Sequence, residues 1–241
     1  MALRRTTGPS TASPRTAVVW DVLDAALDGS PRRIVDIGGG TGGSAVRLAA
    51  AGHQVSVVDP SPDALAALAR RAGELGVEVD GRQGDVASLV DLVGVESADV
   101  VLCHGVLEVV DATAALAAIR RVLRPGGQLS LLVAQRDAAV LARAMAGHFQ
   151  QAIALLQDGI AADGRRGRRY TADEIGELAT SAGFEVLQTH GIRVFADHVP
   201  AALLDLEPGA SASLVELERA AAPRSDFHSL ATQLHLLCVR S

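Results

Sequence analysis

Short apolar runs alternate with Ala/Leu-rich stretches of helical length through the first 134 residues, which predicts helices and strands in alternation. The first run, Arg33-Ile34-Val35-Asp36-Ile37, reads as a strand that enters a glycine-crowded turn, Gly38 to Gly43. A helix is expected near Gly42 to Ala51, a strand over Gln54 to Val58, and a helix from Ser61 to Gly76 whose start is marked by Ser61-Pro62. A short strand near Glu78 to Arg82 follows, then Asp85-Val86, a strand Asp99 to His104 and a helix Ala112 to Leu123. Leu123-Arg124-Pro125-Gly126-Gly127 is a hard break before the apolar strand Gln128 to Ala134. A helical excursion is expected over Asp137 to Gly164 and a further helix over Thr171 to Ala182. Two β-rich runs, Phe184 to Phe195 and Phe227 to Val239, end the chain. The alternation points to an α/β fold built on a doubly wound, mostly parallel sheet.

At 241 residues the chain suffices for one well-cored α/β domain, with little left for a second. We place that domain at residues 15–241, with 136–170 as a helical lid or acceptor-site insertion and 1–14, which are polar, as a flexible tail. No run of 18 or more apolar residues occurs and the start lacks an apolar leader core, so a cytoplasmic protein without a spanning helix is expected. Cys103 and Cys238 fall inside apolar strand patterns and are read as buried free thiols, not as metal ligands. All 22 basic residues are arginine, a usage expected of a GC-rich genome, so arginine is a weaker sign of bidentate recognition here than elsewhere. The formal charge of -6 argues against general polyanion binding. One local basic run, Arg165-Arg166-Gly167-Arg168-Arg169, stands apart from it; it is either a solvated loop or a contact to a nucleic-acid backbone.

The glycine turn carries the chemistry. Gly38-x-Gly40-x-x-Gly43 satisfies the dinucleotide fingerprint, and Asp36-x-Gly38-x-Gly40-x-Gly42 satisfies that of S-adenosylmethionine. In the first reading a helix N-terminus takes a pyrophosphate. In the second the loop amides meet the methionine carboxylate and the sulfonium-bearing chain, with Asp36 bracing the loop. Asp59, closing the second strand, can accept from ribose hydroxyls in either case. Two later features favour S-adenosylmethionine. Arg124-Pro125-Gly126-Gly127 before the fifth strand is a habit of class I methyltransferases, and the two terminal β runs suit their antiparallel hairpin of strands six and seven. A Rossmann-like class I methyltransferase of seven strands, mostly parallel with an antiparallel last strand, is the expected fold.

Four stretches carry a closer likeness: Pro14-Arg15-Thr16 with Trp20; His104-Gly105-Val106-Leu107-Glu108-Val109-Val110; Gly191-Ile192-Arg193-Val194-Phe195-Ala196-Asp197; and Leu217-Glu218-Arg219. In these the chain resembles the CmoM-type tRNA methyltransferases, which methylate the carboxylate of a 5-carboxymethoxyuridine at the anticodon wobble position. The resemblance implies that Arg15 reaches the methionine carboxylate, that Gly38, Gly39 and Gly40 line the loop over Asp36, and that Asp59 holds the ribose. It further implies that Gln83 and Gly84 flank the adenine, with His104 beside the cofactor. Asp85 could accept from the adenine amino group while Val86 packs on the ring.

The implied reaction is a single in-line displacement giving S-adenosylhomocysteine, and it depends mainly on holding nucleophile, carbon and sulfur collinear. A carboxylate acceptor is already ionised near pH 7, so no strong general base is required. A cation to orient it is required; Arg193 is the first candidate, with a structural ion pair on a strand edge as the equal alternative for it, and Arg168 or Arg169 is the second. The sequence departs from the family at Val109, where tryptophan is usual, and at Arg136 and Asp137, where asparagine and histidine are usual. The excursion has few aromatics besides Phe149 and Tyr170 to stack on a base. Three functions therefore stay open: a tRNA methyltransferase whose partner docks through Arg165, Arg166, Arg168 and Arg169, a methyltransferase of small-molecule carboxylates or hydroxyls, and a non-catalytic S-adenosylmethionine-binding protein.

Overall fold

The computed structural model describes residues 13–159, 167–204 and 207–241. The strands are β1 (Arg33–Ile37), β2 (Gln54–Asp59), β3 (Asp80–Gln83), β4 (Ala98–His104), β5 (Leu123–Ala134), β6 (Phe184–Ile192) and β7 (Gln233–Arg240). They form one sheet in the order β3-β2-β1-β4-β5-β7-β6, in which β7 is antiparallel to β5 and to β6 and every other pairing is parallel. The carboxyl ends of β1 to β6 and the start of β7 therefore share one edge of the sheet. The α/β class, the seven strands and the antiparallel last strand are as the sequence predicts.

Both faces of the sheet are covered, which is why its parallel strands read as nearly continuous apolar runs. Val35, Ile37, Val101, Cys103, Leu129 and Leu131 pack toward α4 (Leu89–Val93), α5 (Ala112–Val122) and α8 (Ala172–Ser181), where Leu116, Ile119 and Ile175 are fully buried. Ile34, Val55, Val57, Val100 and Leu102 pack toward α1 (Ala17–Ala26), α2 (Gly43–Ala50) and α3 (Pro62–Leu75) through Leu23, Leu48 and Leu68. Helix limits follow local chemistry. The Ser61 hydroxyl accepts from the Ala64 amide at 3.2 Å and Gly76 closes α3 in a left-handed conformation. Asp111 caps α5, and Thr171 with Glu174 forms a full capping box on α8. Cys103 and Cys238 are buried free thiols.

Several elements depart from the sequence reading. The excursion is two helices, α6 (Arg136–Met145) and α7 (Phe149–Asp158), broken at Gly147; its expected end, 160–164, lies outside the described residues, as does most of the 1–14 tail. No element was placed over α1, α4, α9 (Ala201–Leu204) or α10 (Ala210–Ala221). The first terminal β run ends at Ile192 because Arg193 takes a left-handed φ of 58°. The second starts at Gln233; Ser225–Phe227 before it is a single 3₁₀ turn. The Pro-Gly-Gly break lies inside β5, between the pairing of Leu123 with Ala98 and the regular ladder from Gln128, and Arg124 pairs there with Asp99 at 2.8 Å.

Gly42 caps α2 with φ 75°, and a Cβ there would stand 2.1 Å from Cδ1 of the buried Leu68. Gly42→Ala therefore combines a left-handed backbone with overpacking and is expected to reduce unfolding free energy by about 2 kcal/mol. Denaturant titration measures this, and unchanged stability would mean that Leu68 can swing aside.

Candidate functional site

The turn after β1 is fastened to β2. The Gly38 amide donates to the Val58 carbonyl at 2.8 Å, and the Gly40 amide to Asp59 Oδ2 at 2.9 Å. The other Asp59 oxygen accepts from the Ser61 amide at 2.9 Å, so one carboxylate ties the loop to the start of α3 and keeps further acceptor capacity on both oxygens. Gly39 lies on Asp36: a Cβ there would meet Asp36 Oδ2 at 2.6 Å. A Cβ on Gly38 would meet Val106 at 2.8 Å, while beside Gly40 nothing comes closer than 3.9 Å. The loop is closed toward the protein and open toward the sheet edge, a cradle fitted to a ligand that approaches backbone.

Asp36 is 4% exposed and has no hydrogen-bond partner among the described residues. Burial, and then the nearby charge of Asp59, push its carboxyl up to about 7. At the end of β3, the Gln83 amide group donates to the Pro60 carbonyl at 3.4 Å and the Gly84 amide to the Asp59 carbonyl at 3.2 Å. Asp85 uses Oδ1 to hold the Ala87 and Ser88 amides at 3.0 and 3.1 Å. Beside it a cavity of about 410 Å³ is lined by Asp85, Val86, Val110, Asp111 and alanines of α5. His104, half-buried at the end of β4, has Nε2 2.8 Å from Ser130 Oγ, and burial lowers its pKa to about 4, so the ring is neutral. The strand ends thus bring Asp36, Gly38, Gly39, Gly40, Asp59, Gln83, Gly84, Asp85, Val86 and His104 to one edge.

Arg15 and Arg193 meet at the other end of that edge. Arg15 pairs with Asp197 at 3.3 Å, Arg193 faces the same carboxylate at 3.7 Å and donates to the Arg15 carbonyl at 3.3 Å, and Thr232 donates to Asp197 at 2.9 Å. The segment after β6 is anchored by Glu218 of α10, a fully buried carboxylate that accepts from the Val194, Phe195 and Ala196 amides at 3.0, 2.9 and 2.7 Å. The arginine of the family segment thus takes part in an ion-pair cluster, the structural alternative that the sequence already offered for Arg193.

Against α6, a cavity of about 250 Å³ is lined by Ala138, Ala139, Ala142, Arg143, Arg169 and Thr232. Arg143, one turn from the α6 terminus, was not singled out by sequence. The Arg168 amide donates to the Glu108 carbonyl at 2.8 Å, and its guanidinium lies 5.4 Å from the centre of the Tyr170 ring. Arg165 and Arg166 lie outside the described residues. Tyr170 is fully buried with its hydroxyl on the Leu107 carbonyl at 2.9 Å, so it is core and not a stacking platform; Phe149 is 64% exposed. Glu108 accepts from the Ala134 amide at 2.7 Å, and burial raises its carboxyl. Arg136, one of the departures from the family, pairs with Glu174 at 2.8 Å, and Asp137 accepts from the Gln135 side chain at 3.0 Å. Among the described residues no cluster of three metal-ligating side chains occurs, and no helix is long and apolar enough to cross a membrane.

A methyltransferase-domain family model matches residues 34–127, the segment that holds the glycine loop. The tRNA 5-carboxymethoxyuridine methyltransferase of Escherichia coli strain K12 is 31% identical over 206 residues, covering 80% of this chain and 76% of that protein. A ubiquinone biosynthesis O-methyltransferase of Xanthomonas oryzae pv. oryzae is 39% identical over 131 residues, 53% of each chain. In structure, geranyl diphosphate C-methyltransferase from Streptomyces coelicolor A3(2), solved with S-adenosyl-L-homocysteine, superposes with a TM-score of 0.63 at 15% identity, covering 93% of this chain and 79% of that one.

Proposed function

The chain belongs to the S-adenosylmethionine-dependent methyltransferases, in the family that includes the Escherichia coli enzyme, and from that premise we propose that it methylates a carboxylate on a modified wobble uridine of tRNA. S-adenosylmethionine is its methyl donor and S-adenosylhomocysteine the product; the bound cofactor supplies an electrophilic methyl group. In our reading Asp59 accepts from the ribose, the Gly38 to Gly40 backbone borders the amino-acid end, and Gln83, Gly84, Asp85 and Val86 surround the adenine. Arg15 meets the methionine carboxylate, and His104 stands beside the cofactor at the end of β4.

One observation carries the acceptor assignment. A likeness covering 80% of the chain extends past Ala134 wherever it begins, into the half that carries α6, Arg169 and Thr232. The acceptor needs no base when it is a carboxylate, only a cation to hold it in line. Arg193, Arg168 and Arg169 are the candidates for that role: Arg193 faces Asp197 beside Arg15, Arg169 borders the α6 cavity together with Arg143, and Arg168 lies by Tyr170. A small-molecule carboxylate or hydroxyl acceptor is the second reading; the 39% likeness to a ubiquinone-pathway enzyme and the burial of Tyr170 favour it.

Nucleoside mass spectrometry of tRNA from cells with and without the gene separates the two. The expected result is loss of one methyl from a wobble uridine derivative on deletion, restored by the purified protein with S-adenosylmethionine. An unchanged nucleoside profile, together with methylation of a tRNA-free small-molecule extract, would replace the first reading by the second.

A further inference from the structure

A buried polar chain crosses the sheet from the cofactor edge. Ser130 Oγ lies 2.8 Å from His104 Nε2 and 2.8 Å from His235 Nε2. Ser130 and His235 are fully buried, whereas His104 is partly exposed. Leu132 of β5 pairs with His104 on one side and with His235 on the other, so all three polar residues lie on one face.

The hydroxyl has a single proton, so it donates to one ring and accepts from the other, whose proton must then sit on Nε2. If His235 were the ring that accepts, its own proton would be on Nδ1, a buried atom without a partner. An orphaned buried N–H is rarer than an orphaned acceptor. If both rings donated, the hydroxyl proton would have nowhere to go, because Ser130 Oγ has no third partner among the described residues. What remains is His235 Nε2–H donating to Ser130, and Ser130 O–H donating to His104 Nε2. His104 then carries its proton on Nδ1, which has no protein partner among the described residues.

We infer that Ser130 and His235 are positioning residues that fix His104 as its Nδ1–H tautomer, a neutral donor to an acceptor atom on the amino-acid end of the bound cofactor. This rests on the cofactor reading above. The end of β4 abuts the glycine loop, since Val106 fills the place of a Gly38 side chain. A neutral donor suits that place, because an imidazolium would repel the sulfonium that binds beside it. Burial keeps His104 neutral, and it lowers His235 and His190 as well; His190 lies 6.0 Å from the His235 ring and in turn feels the charge of His228.

Long-range ¹H–¹⁵N correlation on ¹⁵N-histidine protein, with His104 assigned by His104→Gln, reads the tautomers directly. The expected spectrum shows His104 protonated on Nδ1 and His235 on Nε2; His104 protonated on Nε2 would overturn the inference without any variant. Ser130→Ala should weaken S-adenosylhomocysteine binding about tenfold by calorimetry, the scale of one hydrogen bond, and Ser130→Thr should restore it. Parent-like affinity in a folded Ser130→Ala would refute the role toward the ligand. A parent protein that binds no S-adenosylhomocysteine would instead sink the cofactor reading and the ligand role with it, while the tautomer measurement still decides the relay.

Discussion

Asp59→Ala is expected to weaken S-adenosylhomocysteine binding about 100-fold, or about 2.7 kcal/mol. In the proposed role, loss of charge-assisted bonds to the ribose accounts for about 1 to 3 kcal/mol by itself. The structure adds a second cost, because Asp59 also holds the Gly40 and Ser61 amides at 2.9 Å each. Without the carboxylate both amides lose their partner and the loop loses its tie to β2. Asp59→Asn keeps one acceptor oxygen but turns an NH₂ toward a donor, so it should fall between parent and alanine. Isothermal calorimetry with the melting temperature as a folding control measures both, and parent-like affinity in Asp59→Ala would remove this residue from the cofactor site.

What the sequence could disclose was local. The Ser61-Pro62 start and Gly76 stop of α3, the strand before the glycine turn, and Asp59 at the end of β2 are each written in a few adjacent residues. What it concealed was long-range. Glu218 is an ordinary acidic residue of an amphipathic helix until the fold brings the amides after β6 to it, and Ser130 is a polar interruption in β5 until two histidines from other strands close on it. Three of the four stretches that carry the family likeness are joined in the same way: Arg15 to Asp197, Glu218 to Val194, and Arg219 to Asp21, the neighbour of Trp20, at 2.7 Å. These contacts hold the segment after β6 at the edge of the sheet, where Arg193 faces Asp197. The run before β7 misled for a related reason. Phe227 packs edge-on to Phe195 at 5.9 Å in a 3₁₀ turn, and its apolar character serves that contact and not a strand.

Asp36→Asn is expected to stabilise the free protein at pH 8 and to leave it unchanged near pH 4. The folded state holds the Asp36 proton up to about 7, whereas the unfolded chain releases it near 3.8. Between those values the folded state binds more protons, so the parent's stability is greatest below the lower value and falls as pH rises through the upper one. The full span corresponds to about 4 kcal/mol, which the amide does not forfeit. His104, His190 and His235, whose pKa values burial lowers, act in the opposite direction on the acid side, but they are common to both proteins and cancel in the difference. Ligands sharpen the test. A sulfonium near Asp36 favours the ionised carboxyl and a neutral thioether does not, so the parent's preference for S-adenosylmethionine over S-adenosylhomocysteine should rise between pH 5 and pH 8. Asp36→Asn should show a flat preference. A melting-temperature difference between variant and parent that stays constant from pH 4.5 to pH 8, or a parent preference that ignores pH, would mean that Asp36 is ionised throughout and that its role in the loop is purely one of shape.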